Sequence, residues 1–205
     1  GYGDKPEKEI IYIENLGQEE KINVTGFTLE SIRGTRLAIP AAYAIPDLYS
    51  GRADDPVVLK PGGGKVVVTI GKHPKNTDFQ TNLCTGYFNE SYKFEPALSN
   101  RCPRTKTSEL PLNISDRCID VINSTPSCRL PDYSQIFPIN DEDCRSFLTK
   151  HFNYAGCVAD NRNRTDFLGN DWYVWLGRPE EILRDNRETI ILRDREGREV
   201  DRYSY

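Results

Sequence analysis

Apolar and polar positions change rhythm twice along this chain. The first stretch is β-like. Glu9-Ile10-Ile11-Tyr12-Ile13-Glu14-Asn15 is a β-branched and aromatic run that ends at Gly17 and reads as a strand. Apolar side chains alternate at Ile22, Val24, Phe27 and Leu29, with a slip at Gly26 that suggests a bulge or bend. Arg36-Leu37-Ala38-Ile39 is a short strand stopped by Pro40, and residues 41–56 read mainly as loop. Pro56-Val57-Val58-Leu59 leads into a turn at Lys60-Pro61-Gly62-Gly63-Gly64. Lys65-Val66-Val67-Val68-Thr69-Ile70 then returns as a nearly unbroken apolar run, suited to a strand covered on both faces.

From about Gly71 strict alternation is lost. Ser115-Asp116-Arg117-Cys118-Ile119-Asp120-Val121-Ile122 reads as a short helix with Ser115 as N-cap. A second helix is predicted over Asn140-Asp141-Glu142-Asp143-Cys144-Arg145-Ser146-Phe147-Leu148-Thr149-Lys150, whose acidic start and basic end suit the helix dipole. After Gly169 the β rhythm resumes in Trp172-Tyr173-Val174-Trp175-Leu176. Strand alternation puts Trp172 and Val174 on one face and Tyr173 and Trp175 on the other. Thr189–Arg193 and Glu199–Tyr203 form a hairpin around Asp194-Arg195-Glu196-Gly197-Arg198. About seven strands are expected. The pattern predicts a mainly β fold: residues 1–70 and 171–205 together form a β-sandwich, and 71–170 form a cysteine-rich insertion with short helices.

Composition sharpens the picture at the cysteines. All six, Cys84, Cys102, Cys118, Cys128, Cys144 and Cys157, fall inside the insertion. An even, clustered set points to disulfides in an oxidising compartment. Successive spacings of 18, 16, 10, 16 and 13 residues do not resemble the close Cys pairs of zinc sites. Fifteen pairings are open, and pairing of neighbours (84–102, 118–128, 144–157) is the preferred expectation. Apolar residues are 37% of the chain, so the core is modest and covalent staples matter in the insertion. The net charge of −4, with no basic stripe, gives nucleic-acid binding no electrostatic support. No apolar run is long enough to span a membrane. There is no signal-peptide pattern, and Gly1-Tyr2-Gly3-Asp4 reads as a cut within a longer protein that carries other domains.

The two β regions resemble the lamin tail domain, an immunoglobulin-like sandwich also found in bacterial secreted proteins. The residues that carry the resemblance are Tyr12-Ile13-Glu14-Asn15-Leu16-Gly17, Ile22–Leu29, the turn Leu59-Lys60-Pro61-Gly62-Gly63 before Val66-Val67-Val68, and above all the ending Thr189–Tyr205. Together they cover a little over half the chain. The insertion is absent from lamins. It is similar to that of envelope proteins of small uncultivated bacteria, on Thr81-Asn82-Leu83-Cys84-Thr85-Gly86-Tyr87 and Pro96-Ala97-Leu98-Ser99-Asn100-Arg101-Cys102-Pro103. The resemblance implies a non-catalytic interaction or structural module, secreted or at the cell surface, with a protein or cell-surface partner and no cofactor.

Other chemistry is weighed against plainer readings. Gly62-Gly63-Gly64-Lys65 lacks the Ser or Thr and the following helix of a phosphate loop, so a tight turn is expected. His73 and His151 stand outside any recognisable catalytic motif, and none of the cysteines has an activating setting. Asp160-Asn161-Arg162-Asn163-Arg164-Thr165-Asp166 with Asn170 and Asp171 offers oxygen ligands for calcium, but not at EF-hand spacing. Five N-x-[ST] sequons occur, at Asn23, Asn89, Asn113, Asn123 and Asn163. Two further function classes stay open beside the interaction module. One is a carbohydrate-binding or calcium-dependent adhesion domain; the other is an enzyme using acids around Asp141–Asp143 or Asp160–Asp171.

Overall fold

The computed structural model describes residues 5–46, 54–73, 77–104, 110–132, 134, 141–184 and 186–205. The expected start at Gly1-Tyr2-Gly3-Asp4, the middle of the 41–56 loop and Asn140 lie outside them. Two compact units are present: Gly1–Thr81 with Gly169–Tyr205, and Asn82–Leu168.

The first unit is β-rich. In chain order its strands are β1 (Ile10–Asn15), β2 (Ile22–Asn23), β3 (Thr28–Ser31), β4 (Arg36–Ala38), β5 (Val58–Leu59), β6 (Gly64–Thr69), β7 (Phe79–Asn82), β8 (Leu168–Trp175), β9 (Thr189–Arg193) and β10 (Glu199–Ser204). One sheet runs β1-β6-β8-β7, a second β10-β9-β3-β4, and β2 pairs with β5. β1–β6, β9–β10, β3–β9, β3–β4 and β2–β5 pair antiparallel, while β6 and β8 run parallel with Val66 beside Trp172 and Val68 beside Val174. Leu29, Ile190 and Leu192 from one sheet and Val66, Val68, Trp172 and Val174 from the other share a single apolar core, a sandwich-like arrangement. Each such side chain, fully buried, contributes roughly 1.5–3 kcal/mol.

Local chemistry explains the turns. Gly26 takes φ +80°, a region that other residues enter at a cost. The expected bulge there is a change of sheet: β2 leaves for β5, while β3 joins β4 and β9. At the β9–β10 hairpin, Asp194 Oδ1 accepts the N–H groups of Glu196 (3.0 Å) and Arg198 (2.8 Å), and Gly197 supplies the positive φ. Residues 182–184 are held by two acids. Glu9 accepts the N–H groups of Ile182 and Leu183 at 3.0 and 2.8 Å. Glu188, 1% exposed, accepts those of Ile32, Thr189 and Arg184 at 2.9–3.0 Å. A buried carboxylate of this kind replaces water for several main-chain donors at once.

The described residues of the second unit include the α-helices α1 (Asp116–Ser124), α2 (Glu142–His151) and α3 (Tyr154–Asn161). Ser115 caps α1 as expected, its Oγ accepting Cys118 N–H at 3.3 Å. Asp141 caps α2, accepting Cys144 N–H at 2.9 Å. A small core gathers Val121, Ile122, Phe147, Leu148 and Phe152 around Cys118 and Cys144.

The disulfides are Cys84–Cys157, Cys102–Cys128 and Cys118–Cys144, with Cα separations of 5.8, 5.2 and 5.9 Å. The expected neighbour pairing is therefore wrong, and helix geometry supplies the reason. Cys118 stands in the first turn of α1, which carries the chain ~9 Å away by Ser124, before Cys128. Disulfide Cα atoms must lie within about 7 Å. Cys144 stands in the first turn of α2, and Asp141 also accepts Ser115 N–H (2.9 Å), so the two helix starts lie side by side with their cysteines facing. A further difference concerns 71–170. Phe79–Asn82 falls inside that span yet is a strand of the β1-β6-β8-β7 sheet.

Candidate functional site

In the second unit, α1, α2 and α3 enclose a polar cleft of about 290 Å³. Tyr87, Asn123, His151, Asp160, Asn161 and Arg164 contribute its chemistry, and Cys128 and Cys157 stand in its wall. His151 ends α2 because Phe152 turns the chain, and its ring packs on Phe147 at 4.5 Å. Its Nδ1 lies 2.8 Å from Asp160 Oδ2 on α3. Burial pushes the Tyr87 hydroxyl up to about 12, helped by the negative charges of Glu90 and Asp160, so it stays a neutral donor. Asn161 Nδ2 donates to Cys157 O at 2.9 Å, and Arg164 holds Asp166 through two bonds of 2.9 and 2.8 Å.

A histidine oriented by a carboxylate is half of a nucleophilic site. The aliphatic hydroxyls in the lining are committed elsewhere: Thr125 Oγ1 donates to Val121 O and Ser127 Oγ to Cys102 O. The arrangement offers hydrogen-bond donors and acceptors on a covalently fixed wall.

Four of the acids considered for calcium or catalysis are individually engaged. Asp160 meets His151, Asp166 meets Arg164, and Asp171 lies 3.7 Å from Lys65. Asp141 spends both oxygens on the N–H groups of Cys144 and Ser115, which hold its carboxyl below the usual range. Among the described residues, the group with metal-ligand spacing is Cys118, Asp141 and Cys144, but its sulfurs are bonded to each other. At the glycine turn, the N–H groups of Gly62, Gly63 and Gly64 donate to Gly17, Asn15 and Lys60 carbonyls, which leaves none to cradle a phosphate. Asn89 of the second sequon bonds Leu98 O and Asn100 Oδ1, and Asn123 faces the cleft.

The β-rich unit carries two aromatic surfaces. Trp172 and Val174 enter the core, with Trp172 Nε1–H donating to Val58 O at 3.1 Å. On the opposite face of β8, Tyr173 stacks on Phe79 at 5.8 Å, and Trp175 packs against Phe79 and His73. His73 lies outside the regular elements and is a buried member of this aromatic layer. The second surface is a groove of about 670 Å³ between β1 and β10, with Tyr12, Tyr203 and Tyr205 on its walls and Ile11, Leu183 and Ile190 lower down. Sequence reasoning missed both clefts, since each is assembled from segments far apart in the chain. The tyrosines spaced by two at the end of the chain were the one local signal for the groove.

No family model, curated protein or solved structure matches this chain.

Proposed function

We propose that this chain is a non-catalytic interaction module of the immunoglobulin-like, lamin-tail kind, one part of a larger secreted or cell-envelope protein. In this reading the β-rich unit is the scaffold and the cystine-bound unit presents the binding surface. The observation that carries it is that two of the three disulfides border the polar cleft: Cys128 and Cys157 line it, and each is bonded across the unit. Three disulfides also suit an oxidising environment. A wall fixed before binding loses little conformational freedom on association, which favours a surface built to hold a partner. No helix among the described residues is long and apolar enough to cross a membrane.

A second reading, a carbohydrate-binding domain, has its own support in the same cleft. Tyr87, Asn123, Asn161 and Asp160 are the side-chain types that hydrogen-bond sugar hydroxyls around an aromatic ring. The two are separated by calorimetric titration of the oxidised chain with soluble cell-surface proteins and with oligosaccharides, each with and without calcium. Protein binding that is lost in Asn161→Ala and after reduction supports the module. Saturable sugar binding that Asn161→Ala abolishes transfers the cleft to the second reading. Catalytic turnover that depends on His151 sinks both.

A further inference from the structure

The three bridges of the second unit are not equally placed for chemistry. Cys118–Cys144 joins α1 to α2 inside the small apolar core, and both residues are fully buried. Cys84–Cys157 ties residue 84 to α3, with Cys84 fully buried and Cys157 4% exposed. Cys102–Cys128 joins two segments outside the helices and holds the most accessible cysteine of the six, Cys102 at 7%. Its other half is strained. Cys128 has φ +58°, a region that an L residue enters at a cost. The N–H of Cys102 donates to Cys128 Sγ at 2.9 Å. A hydrogen bond of this kind favours the thiolate, which makes Cys128 the better leaving group. The space behind that sulfur is closed: a Cβ on Gly86 would lie 2.4 Å from it. Residues beside both ends of this bridge line the polar cleft, Pro103 and Arg104 after Cys102, and Thr125, Pro126 and Ser127 before Cys128.

We propose that Cys102–Cys128 is a redox latch on the polar cleft, opened by a dithiol reductant before the other two bridges. The inference rests on the reading of that cleft as the binding surface and adds its regulation. One thiolate of the reductant attacks Cys102 Sγ, the S–S bond breaks, and Cys128 leaves as a thiolate held by the Cys102 N–H. The second thiolate of the reductant then attacks its own sulfur in the mixed disulfide. The reductant closes to a cyclic disulfide and Cys102 leaves. Two electrons pass from the dithiol to the bridge, and its two protons end on the cysteines. Separate thiols cannot stay at the ~2 Å of a bond. Gly86 leaves Cys128 Sγ no room to retreat, so residues 125–128 shift and the cleft loses that wall. The helices keep their places, because the other two bridges hold α1 to α2 and residue 84 to α3.

Stepwise reduction of the folded chain with dithiothreitol, followed by thiol alkylation and mass mapping, tests the order. Cys102 and Cys128 should become alkylated at a reductant concentration about tenfold below that needed for Cys84 and Cys157, the scale set by one residue in the left-handed region. Cys118 and Cys144 should come last. The variant Cys102→Ala/Cys128→Ala tests the latch itself. Its circular dichroism and the amide protection of α2 and α3 should match the parent. The amides of Thr125 and Arg129, bonded to Val121 O and Pro126 O, should exchange about tenfold faster. Reduction of either other bridge first overturns the proposal. So does a double variant whose Thr125 and Arg129 stay as protected as in the parent, or one in which α2 and α3 unfold, since the bridge is then a staple of the whole unit. No ligand enters either measurement. A wrong order therefore overturns the latch and leaves the binding surface as proposed, whereas the expected order in a chain that binds no partner sinks the binding surface alone.

Discussion

Asp78 shows what burial does to a single group. Its carboxylate accepts Trp175 N–H at 2.8 Å beside the aromatic layer, and burial pushes it up to about 6 from an ordinary 3.8, the hydrogen bond pulling the other way. The folded chain therefore holds a proton that the unfolded chain has already released between pH 4 and 6. Stability falls as pH rises through that window, and the loss is complete above it. At 1.36 kcal/mol per unit, the loss is on the order of 2–3 kcal/mol. Asp78→Asn keeps an acceptor for Trp175 and cannot ionise. The stability difference between variant and parent should swing in the variant's favour by about 2–3 kcal/mol from pH 4 to pH 8, measured by urea unfolding. An unchanged difference would mean that Asp78 does not ionise in a dry site. Alternation alone sorted Trp172 from Trp175. It could not find Asp78, whose partner lies 97 residues away and is a main-chain group of no particular sequence.

Elements were legible where local chemistry and tertiary demand agree. Ser115 before an amphipathic run, and Val66-Val67-Val68 in a doubly covered strand, are cases of agreement. β7 was missed because Phe79-Gln80-Thr81-Asn82 has one apolar side chain; the buried Gln80 is kept by its bond to Gly169 O. α3 was missed because Gly156 argues against a helix. The structure gives the reason for the glycine: a Cβ there would lie 2.0 Å from Lys150 O at the close of α2. Asn153, the N-cap of α3, bonds back to Thr149 O at 2.7 Å and so pins the two helices at this tight junction. Helix propensity favours Gly156→Ala by about 1 kcal/mol. The contact with backbone opposes it more strongly, because neither atom can rotate away. Gly156→Ala should destabilise the oxidised protein by about 2 kcal/mol net, read from urea unfolding by far-UV circular dichroism. Stabilisation would show that the helix junction can open without cost.

At the scale of the whole molecule, the two units rest on different forces. The β-rich unit has a core drawn from both four-stranded sheets, and no disulfide lies within it. The second unit has a small apolar cluster, two of whose members are themselves cystine sulfurs. Its bridges are arranged to restrict the unfolded chain. Cys84–Cys157 spans 73 residues and encloses the other two, whose 26-residue spans interleave. By loop entropy the outer bridge is worth about 4 kcal/mol and each inner one about 3.5 kcal/mol, a scale comparable with the total stability of a small domain. Removing all three should leave the second unit without enough burial to offset its chain entropy. In a reducing buffer at neutral pH, amide exchange should become fast through residues 82–168, including α2. The amides of Val66, Val67 and Val68, on a central strand buried on both faces, should stay protected. Loss of protection at Val66–Val68 together with α2 would show that the sheets depend on the bridges, and the division of labour between sulfur and apolar burial would be wrong.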